Sequence, residues 1–409
     1  MLESQTTKSK TSPEHQANHK PTVLYMSVAM FLMNASFLMV FSLFPAYLMS
    51  LGYSQTNIGI LEGVFECLSQ LLKFGSGFIS DILRKRQALI FLGCGIIFLG
   101  RSMIAFSSSF FYILMGRSID RIGNGVYSIP RDSLISAASS KETRAQSLGF
   151  VRSLGQLGSV VGAVIASLLM KRAGFGFRDV FQFAVVPAFI ILLIIAFKVK
   201  EIPFSQPKTN GKRRFRLSKL KEMGTSFILL MIVNAIFMLG RCNEAFMGTY
   251  AIRNFNMAYE NVPYIMIVFN ISWALFSYPI GVLSDKFGRR KMLLVGIFSM
   301  LVSDFFFFYA TCLKGFFLGV IFWGMQMGIT TNTFTALTAD VVDPDVRGTA
   351  FGVYYLINAI CLFSADAFGG YIADVYGNSY VYFYSFIWGA LSFLALMIIM
   401  RYRDLTHQN

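Results

Sequence analysis

The sequence is poor in charged residues and in the residue types on which most catalytic and metal sites depend. Charged residues make up 14% of the 409 positions, against 55% hydrophobic residues, and a soluble domain of that balance would expose large apolar patches to water. The three histidines, His15, His19 and His407, lie in the terminal segments, and the chain has no G-x-x-x-x-G-K-[ST] phosphate loop. These absences argue against an enzyme, a nucleotide-driven pump, a metal site and a bound cofactor.

Cysteine is also scarce, with five residues in the chain. All five fall inside apolar runs and show no paired spacing, which predicts neither a disulfide framework nor a metal site. We interpret them as small packing residues: Cys67, Cys94, Cys242, Cys312 and Cys361.

Long apolar runs occupy most of the chain. A membrane-spanning helix needs about 20 mostly apolar residues, and the bilayer core admits only helices or closed barrels because unpaired backbone groups find no water there. The runs predict an all-α membrane protein with twelve helices, at residues 24–49, 57–80, 87–107, 110–138, 146–169, 180–199, 224–252, 261–284, 291–312, 315–340, 349–373 and 379–400.

Polar segments divide these helices into two groups of six. The interval from Lys198 to Glu222 contains nine Lys and Arg residues and two prolines, which is typical of a linker. We expect a polar tail at 1–21, a six-helix bundle at 22–197, a basic linker at 198–222, a second six-helix bundle at 223–401 and a short tail at 402–409.

The basic residues also predict orientation. With the amino terminus inside, cytoplasmic segments hold 24 Lys and Arg residues and the opposite loops hold five, and an excess of this kind marks the cytoplasmic side. Both termini are therefore predicted to be cytoplasmic. The net charge of +15 comes from basic residues in the short segments between apolar runs, where they act as orientation signals. We therefore do not expect nucleic-acid binding.

An internal repeat supports two related bundles. The segment GFISDILRKR from Gly77 recurs as GVLSDKFGRRK from Gly281, an offset of 204 residues. Repeats of this kind place a transporter's binding site near the membrane midplane, between the halves.

At these residues the sequence resembles the major facilitator superfamily. Its loop motif, G-x-x-x-D-[RK]-x-G-[RK]-[RK], is complete in the second copy, at Gly281, Asp285, Lys286, Gly288, Arg289 and Arg290. The first copy keeps Gly77, Asp81, Lys85 and Arg86 but has Ile82 and Arg84 at motif positions. Together with Arg131 and Asp132, the matching residues are predicted to form a cytoplasmic gate.

Other stretches, among them RSIDRIGNGVYSIPRDSLI, resemble a bacterial subgroup of that superfamily whose substrates are mostly unassigned. Asn124, Tyr127, Gly155 and Ala163 depart from the subgroup's pattern, and the glycine-proline step associated with antiport is missing from the fifth helix. The resemblance implies two pseudo-symmetric bundles in a bacterial inner membrane. We expect a monomer whose partners are lipid, a small-molecule substrate and protons.

The second predicted helix carries a polar stripe. Glu62, Glu66, Gln70 and Lys73 fall within about 80° of one another around the helix, and intramembrane charges usually face a cavity or each other. Glu66 and Lys73 are about 10 Å apart along the axis, so Gln70 or another helix must lie between them. The alternative to proton or substrate handling is a fixed charge network that holds helices together.

The fourth predicted helix has a wider polar face, formed by Arg117, Asp120, Arg121, Asn124, Ser128 and Arg131. The resemblance implies that Arg117 or Arg121 takes part in proton coupling. Beside a carboxylate an arginine lowers the acid's proton affinity, so its movement could load and unload a proton. The alternative is a permanent pair between Arg117 and Asp120 that braces the bundle.

The second half supplies further cavity candidates. Arg241 and Glu244 are three residues apart, which permits a direct ion pair, and Gln326 and Asp366 could line the cavity or bond to a neighbouring helix. The resemblance implies that the third and ninth helices stand outside the cavity, so Arg101 and Asp304 are expected to point outward or to pair locally. Gly155, Gly158, Gly162 and Ala166 form a small-residue face, which favours close helix packing.

The leading hypothesis is a proton-coupled secondary transporter of a small solute, polar or zwitterionic, with Glu66, Asp120 and Glu244 as proton sites. Within transport, the alternatives are a drug or metabolite exporter and a siderophore or nutrient importer. A non-transporting receptor or assembly factor is the alternative from another class.

Overall fold

The computed structural model describes residues 20–83, 85–107, 109–139, 144–172, 175–201, 224–342 and 346–402. These residues form twelve long helical segments, numbered α1 to α12 in chain order, of which α1 and α7 each consist of two helices. The bounds are α1 Lys20–Phe41 with Phe44–Ser50, α2 Gln55–Leu83, α3 Arg86–Phe106, α4 Phe110–Ala138, α5 Arg144–Met170, α6 Phe177–Phe197, α7 Gly224–Gly240 with Ala245–Phe255, α8 Pro263–Phe287, α9 Arg289–Phe308, α10 Leu313–Asp340, α11 Arg347–Val375 and α12 Asn378–Tyr402.

The number and type of helices confirm the twelve-helix prediction. Among the described residues, nine of the segments are long and apolar enough to cross a membrane. The other three are α2, α4 and α8, and the first two carry most of the charges that the sequence places inside the bilayer. The predicted linker at 198–222 and both tails lie almost entirely outside the described residues.

The predicted helix at 224–252 is not continuous, because α7 breaks at Arg241, Cys242 and Asn243. The break exposes backbone groups that must find partners inside the protein. The Asn243 N–H donates to Asp366 Oδ1 at 2.7 Å, and the Ala245 N–H donates to Asn243 Oδ1 at 2.9 Å. The sequence gives no proline signal for this break, which depends on a partner from α11.

Close backbone contacts join the two halves, which we define as α1–α6 and α7–α12. Gly59 and Gly63 of α2 lie against α11, where a Cβ on Gly63 would come within 3.1 Å of the Phe363 carbonyl oxygen. Gly370 of α11 lies closer still to the backbone of α2, where an added Cβ would be 2.9 Å from Thr56 Cα. Small residues therefore let α2 and α11 cross in direct contact.

The glycine face of α5 packs against α1, as its spacing predicts. A Cβ on Gly158 would lie 2.8 Å from Phe31 Cα, and one on Gly162 would lie 2.7 Å from Ala35 Cα. Both distances are shorter than real side chains tolerate. This packing confirms the structural interpretation of the glycines.

The two ends of the bundle differ in how the halves meet. We call the end at which Lys20 and Tyr402 lie the terminal face and the opposite end the distal face. At the distal face, the Asp374 carboxylate of α11 accepts from the N–H groups of Gln55 and Thr56 at 3.0 and 2.7 Å and from Thr56 Oγ1 at 2.7 Å. Arg253 of α7 lies 3.5 Å from the same carboxylate.

Two further bonds cross between the halves at the distal face. Ser167 Oγ donates to the Glu260 carbonyl at 2.8 Å, and Lys171 Nζ lies 2.7 Å from the Tyr264 hydroxyl. Towards the terminal face, side chains on the inner surface become more accessible: Arg117 is 1% exposed, Arg131 11% and Arg152 56%. In the described part of the chain, the polar contacts between the halves are therefore most numerous at the distal face.

Candidate functional site

Three arginines surround one buried carboxylate in the first half. Asp120 on α4 accepts from Arg101 Nε at 2.9 Å and from Arg121 Nη2 at 3.2 Å, and its Oδ2 lies 3.5 Å from Arg117 Nη1. The side chains of Asp120, Arg101 and Arg117 are no more than 2% exposed. Asp120 thus links α3 to α4 through ion pairs. This resembles the alternative in which Arg117 and Asp120 form a permanent pair that braces the bundle.

Arg117 also reaches across to α2, where its Nη2 lies 3.7 Å from Glu62 Oε2. Four phenylalanine rings enclose its guanidinium, with centroids 5.2 to 5.9 Å from Cζ, and they are Phe37, Phe41, Phe44 and Phe65. Aromatic faces attract a cation more strongly once water is excluded. These contacts hold Arg117 while leaving its hydrogen-bonding capacity unused.

Glu66, Gln70 and Lys73 form a chain along α2. Gln70 Nε2 donates to Glu66 Oε1 at 2.7 Å, and Lys73 Nζ donates to Gln70 Oε1 at 3.4 Å. Gln70 therefore bridges Glu66 and Lys73, which are too far apart along the helix axis to pair directly. Among the described residues, Glu66 has no direct ion pair.

The second half contributes a pair at the break in α7. Arg241 Nη2 and Glu244 Oε1 are 2.9 Å apart, so the pair predicted from the spacing forms. Trp323 of α10 donates its Nε1–H to the same carboxylate oxygen at 3.4 Å. Both charged side chains are only partly covered, at 17% and 12% exposed.

Charges from the two halves act on each other. Glu66 lies within electrostatic range of Lys73 on its own helix, of Arg121 of α4 and of Arg241 of α7. Glu62 experiences the charges of Arg117 and Arg121 from its own half and of Glu244 from the other half. We call this set the central cluster: Glu62, Glu66, Lys73, Arg117, Asp120, Arg121, Arg241 and Glu244.

Two predicted cavity residues bond mainly to their neighbours. Asp366 is 1% exposed and holds the Asn243 N–H at the α7 break, although it remains within electrostatic range of Glu62, Glu244 and Arg241. Gln326 is fully buried and donates to Thr330 Oγ1 at 2.9 Å. Asp366 therefore stabilises the irregular backbone at the α7 break, and Gln326 bonds within its own helix.

Of the two expectations for Arg101, the outward orientation is wrong, and a pair with the neighbouring helix forms instead. Arg101 is 2% exposed and lies inside the bundle, where it donates to Asp120 and to the Met33 carbonyl. The signal in the sequence for this arrangement is Gly100. Because Gly100 has no side chain, α3 packs directly onto α4, and an added Cβ would lie 2.5 Å from the Asp120 N. Asp304 is also fully buried and accepts from Ser385 of α12 at 2.8 Å, so it pairs locally.

A sequence profile of the Major Facilitator Superfamily matches residues 26–365, which is most of the chain. The chain belongs to the Major Facilitator Superfamily. It is 26% identical over 391 residues to an uncharacterised MFS-type transporter of Methanocaldococcus jannaschii, covering 94% of this chain and 96% of that protein. Membership identifies an integral membrane transporter rather than an enzyme.

Solved structures share the superfamily fold. A bacterial homologue of the human lysosomal transporter Spinster, in an inward-facing and unoccupied conformation, aligns with a TM-score of 0.74 at 16% identity, covering 96% of this chain and 99% of that one. A D-xylose-proton symporter aligns with a TM-score of 0.74 at 13% identity, covering 94% and 98%. At these identities the likeness concerns the fold alone.

The superfamily loop motif lies at the terminal face. In its second copy, Gly288 has φ +93°, a conformation that favours glycine, immediately before α9. Arg289 Nη1 donates to the Ala336 carbonyl at 3.2 Å and to the Asp340 carboxylate, and Lys286 lies over the Phe287 ring at 5.9 Å. The turn joins α8 to α9 and contacts α10, and the side chain of Asp285, like position 281, lies outside the described residues.

The first copy of the motif differs. The Glu201 carboxylate accepts from the N–H groups of Arg86 and Gln87 at 3.0 and 2.7 Å, so it caps the start of α3. Lys85 precedes this helix and is exposed. Arg84 lies outside the described residues, as do the side chains of Gly77 to Leu83, including Asp81.

The other predicted gate residues form a link beneath the central cluster. Arg131 Nε donates to Asp132 Oδ1 at 2.8 Å, and Arg152 of α5 lies 3.6 Å from Asp132 Oδ2. Arg152 also donates to Asn332 Oδ1 of α10 at 3.2 Å. This connection between the halves was not predicted, because Arg152 carries no motif signal.

Proposed function

We propose that this member of the superfamily is a proton-coupled secondary transporter of a small polar solute. It would act in a bacterial inner membrane with both termini in the cytoplasm. The orientation is supported by the excess of basic residues in the segments on the side of the termini. The contacts between the halves at the distal face would then belong to a state accessible from the cytoplasm.

The observation that carries the proposal is the environment of Glu66. This carboxylate lies inside the bundle, is hydrogen-bonded by Gln70 rather than paired to a cation, and lies within electrostatic range of cations from both halves. Rocking of the halves would change the distance between Glu66 and Arg241. Because a nearby cation favours the ionised form, that movement would change the proton affinity of Glu66.

The ionisable residues of the central cluster destabilise the inserted protein unless they have a function or a partner. An ionised group at the centre of a bilayer-spanning helix costs about 3 kcal/mol on insertion scales. A receptor or assembly factor that had kept the fold would have little need for Glu62, Glu66 and Glu244 in one place. Secondary transport therefore accounts for the cluster better than a scaffold does.

The test is proton movement coupled to solute movement. Purified protein is reconstituted into liposomes loaded with a pH-sensitive dye, and sugars, amino acids, carboxylates and amines are added in turn. We expect at least one class to change the internal pH, and we expect Glu66→Gln to abolish that change because the amide cannot carry the proton. Transport of a labelled solute that is indifferent to an imposed pH gradient would remove the coupling.

The matched control is Glu260→Gln. It makes the same chemical change in the short segment before α8, where the backbone carbonyl rather than the side chain contacts Ser167. This variant should transport and couple like the unmodified protein. Folding of both variants is checked by their elution as a single species in detergent.

A further inference from the structure

Gln55, the first residue of α2, has a buried side-chain amide with no hydrogen-bond partner among the described residues. Its exposed fraction is 0%, and both the amide oxygen and the amide nitrogen lack partners. Three other buried amides leave their oxygen unpartnered but still donate through nitrogen: Asn234 to Asn358, Gln326 to Thr330 and Asn378 to Asn254. The Gln55 amide differs from these because neither of its polar atoms is used.

Gln55 lies where the two halves meet at the distal face. Gly59 and Gly63 follow it at four-residue intervals and meet the backbone of α11, and residues at these intervals share one face of a helix. Gly370 of α11 packs against the backbone of Gln55 and Thr56. We call this contact of Gln55 and Thr56 with α11 the distal seam. Because Gln55 begins α2 at the distal end, separation of α2 from α11 there would bring water to its amide.

The backbone and the side chain of Gln55 act on the distal seam in opposite directions. The backbone N–H donates to Asp374 Oδ1 of α11 at 3.0 Å, and this bond exists only while the halves are in contact. The side-chain amide gives up its hydrogen bonds to water when it is buried and gains none in return, which destabilises the same state. An apolar side chain of similar shape would not have this unfavourable contribution.

Resting on the transport function proposed above, we propose that the Gln55 side chain opposes closure of the distal seam and keeps the two access states close in free energy. The Asp374 carboxylate favours contact between the halves, and the unpartnered amide favours their separation. Alternating access requires both states to be populated, so neither can be strongly preferred. With an apolar residue at position 55, the Asp374 contact would be unopposed.

The alternative is that the Gln55 amide holds the distal seam together. That role requires a hydrogen-bond partner across the seam, and the described residues supply none. The two roles predict opposite effects of removing the amide. Removal favours contact between the halves if the amide opposes closure, and favours separation if the amide holds the seam.

The experiment measures the distance between spin labels on either side of the distal seam. The labels are attached at Leu51→Cys in the first half and Tyr376→Cys in the second, both exposed positions. Exposed Cys312 and half-buried Cys67 are first replaced by serine. Distance distributions are recorded by electron paramagnetic resonance, with and without the additional change Asp374→Ala.

Gln55→Met removes the amide and keeps the length of the side chain. We expect the ratio of the closer to the more distant population to rise about fivefold or more, because an unsatisfied buried amide is lost. In the Asp374→Ala protein, where the carboxylate no longer stabilises contact, adding Gln55→Met should restore part of the closer population. Should Gln55→Met fail to fold, Gln55→Leu removes the same amide, and the same shift is expected.

Gln55→Glu tests the opposite direction. It keeps the shape of the side chain but adds a carboxylate, which is less favourable to bury without a cation than an amide is. The described cation near the seam, Arg253, already lies against Asp374. We expect the more distant population to grow.

Gln87→Met is the matched control. Gln87 also lies at the start of a helix, α3, and its N–H also donates to a carboxylate distant in sequence, that of Glu201 at 2.7 Å. This contact lies within the first half, and the side-chain nitrogen of Gln87 has a partner, the Ile195 carbonyl at 3.4 Å. The distance distribution at the distal seam should be unchanged in this variant.

Two results would overturn the proposal: growth of the more distant population in Gln55→Met, or a distribution that Gln55→Met leaves unchanged both with and without Asp374→Ala. The result is separable from the proton test, because the labels report the balance of states whether or not protons move. The expected distances without proton movement would refute coupling and keep the role of Gln55. Proton movement with contrary distances would refute the role of Gln55 and keep coupling.

Discussion

At the scale of single residues, the first half depends on one carboxylate that contacts three guanidinium groups. Asp120 contacts Arg101, Arg117 and Arg121, and all four side chains are at least nine-tenths buried. Removal of one member of a buried charge set leaves uncompensated charge behind, which is costlier than the set itself is stabilising. Asp120 is therefore expected to matter for stability, whatever part it plays in transport.

We predict that Asp120→Asn lowers the free energy of unfolding by about 3 kcal/mol, because three arginines would then share one fewer negative charge. The measurement is denaturation of the purified protein in mixed detergent micelles. The loss should appear with or without an added solute.

Asp304→Asn is the matched control for that variant. Asp304 is equally buried, but its described partner is the Ser385 hydroxyl rather than a cation, and an asparagine oxygen can still accept that hydrogen bond. A small change is expected. Equal losses in the two variants would mean that burial, and not the arginines, makes the carboxylate at 120 important.

At the scale of helices, small residues determine which segments can touch. Gly100 lets α4 pack closely against α3, Gly63 lets α11 pack closely against α2, and Gly158 lets α1 pack closely against α5. At each of these crossings the atoms that an added Cβ would meet include backbone, which cannot swing aside as a flexible side chain can. The helix pairs are therefore specified by the absence of side chains.

We predict that Gly158→Ala destabilises the protein by about 1–3 kcal/mol, the usual range for overpacking, although alanine is the better helix former. The new methyl group would meet Phe31 of α1. The same unfolding measurement applies.

Gly149→Ala offers the comparison on the same helix. A Cβ at Gly149 meets nothing within 4 Å, so this change should be neutral or slightly stabilising because alanine has the higher helix propensity. A Gly158→Ala variant as stable as Gly149→Ala would show that α1 and α5 can separate at no cost.

At the scale of the whole molecule, the distal face is held shut by contacts between the halves, and Asp374 contributes most of them. Its carboxylate caps the first turn of α2 from the other half and lies near Arg253. Alternating access requires that such contacts form in one state and break in the other. Their loss should favour the state that is open at the distal face.

We predict that Asp374→Ala increases the distance between spin labels at Leu51→Cys and Tyr376→Cys, two exposed positions at the distal face. Exposed Cys312 and half-buried Cys67 are first replaced by serine, and the distance distribution is measured by electron paramagnetic resonance. The more distant population should grow at the expense of the closer one.

Asp179→Ala tests the specificity of that effect. Asp179 also caps a distal backbone N–H, that of Gly176 at 2.6 Å, but within one half. Its loss should leave the distance distribution unchanged. A distribution that is the same in Asp374→Ala and the unmodified protein would exclude Asp374 as a latch.

The sequence by itself determined the fold class. Twelve apolar runs, a repeated loop motif and the polar stripe of Glu62, Glu66, Gln70 and Lys73 follow from composition and from periods of about 3.6 residues, and these are local properties. The Arg241–Glu244 pair was predictable from the three-residue spacing alone, and it forms although the helix is interrupted at Arg241.

Only the tertiary structure decided which charges meet across helices. Arg101 lies inside the bundle, Asp366 completes the backbone at an unpredicted break in α7, and Arg152 connects the halves through Asn332. Each of these depends on a partner distant in sequence and on a close helix approach that no local period encodes. The physical reason is that a buried polar group needs a partner, but any helix that reaches it can supply one.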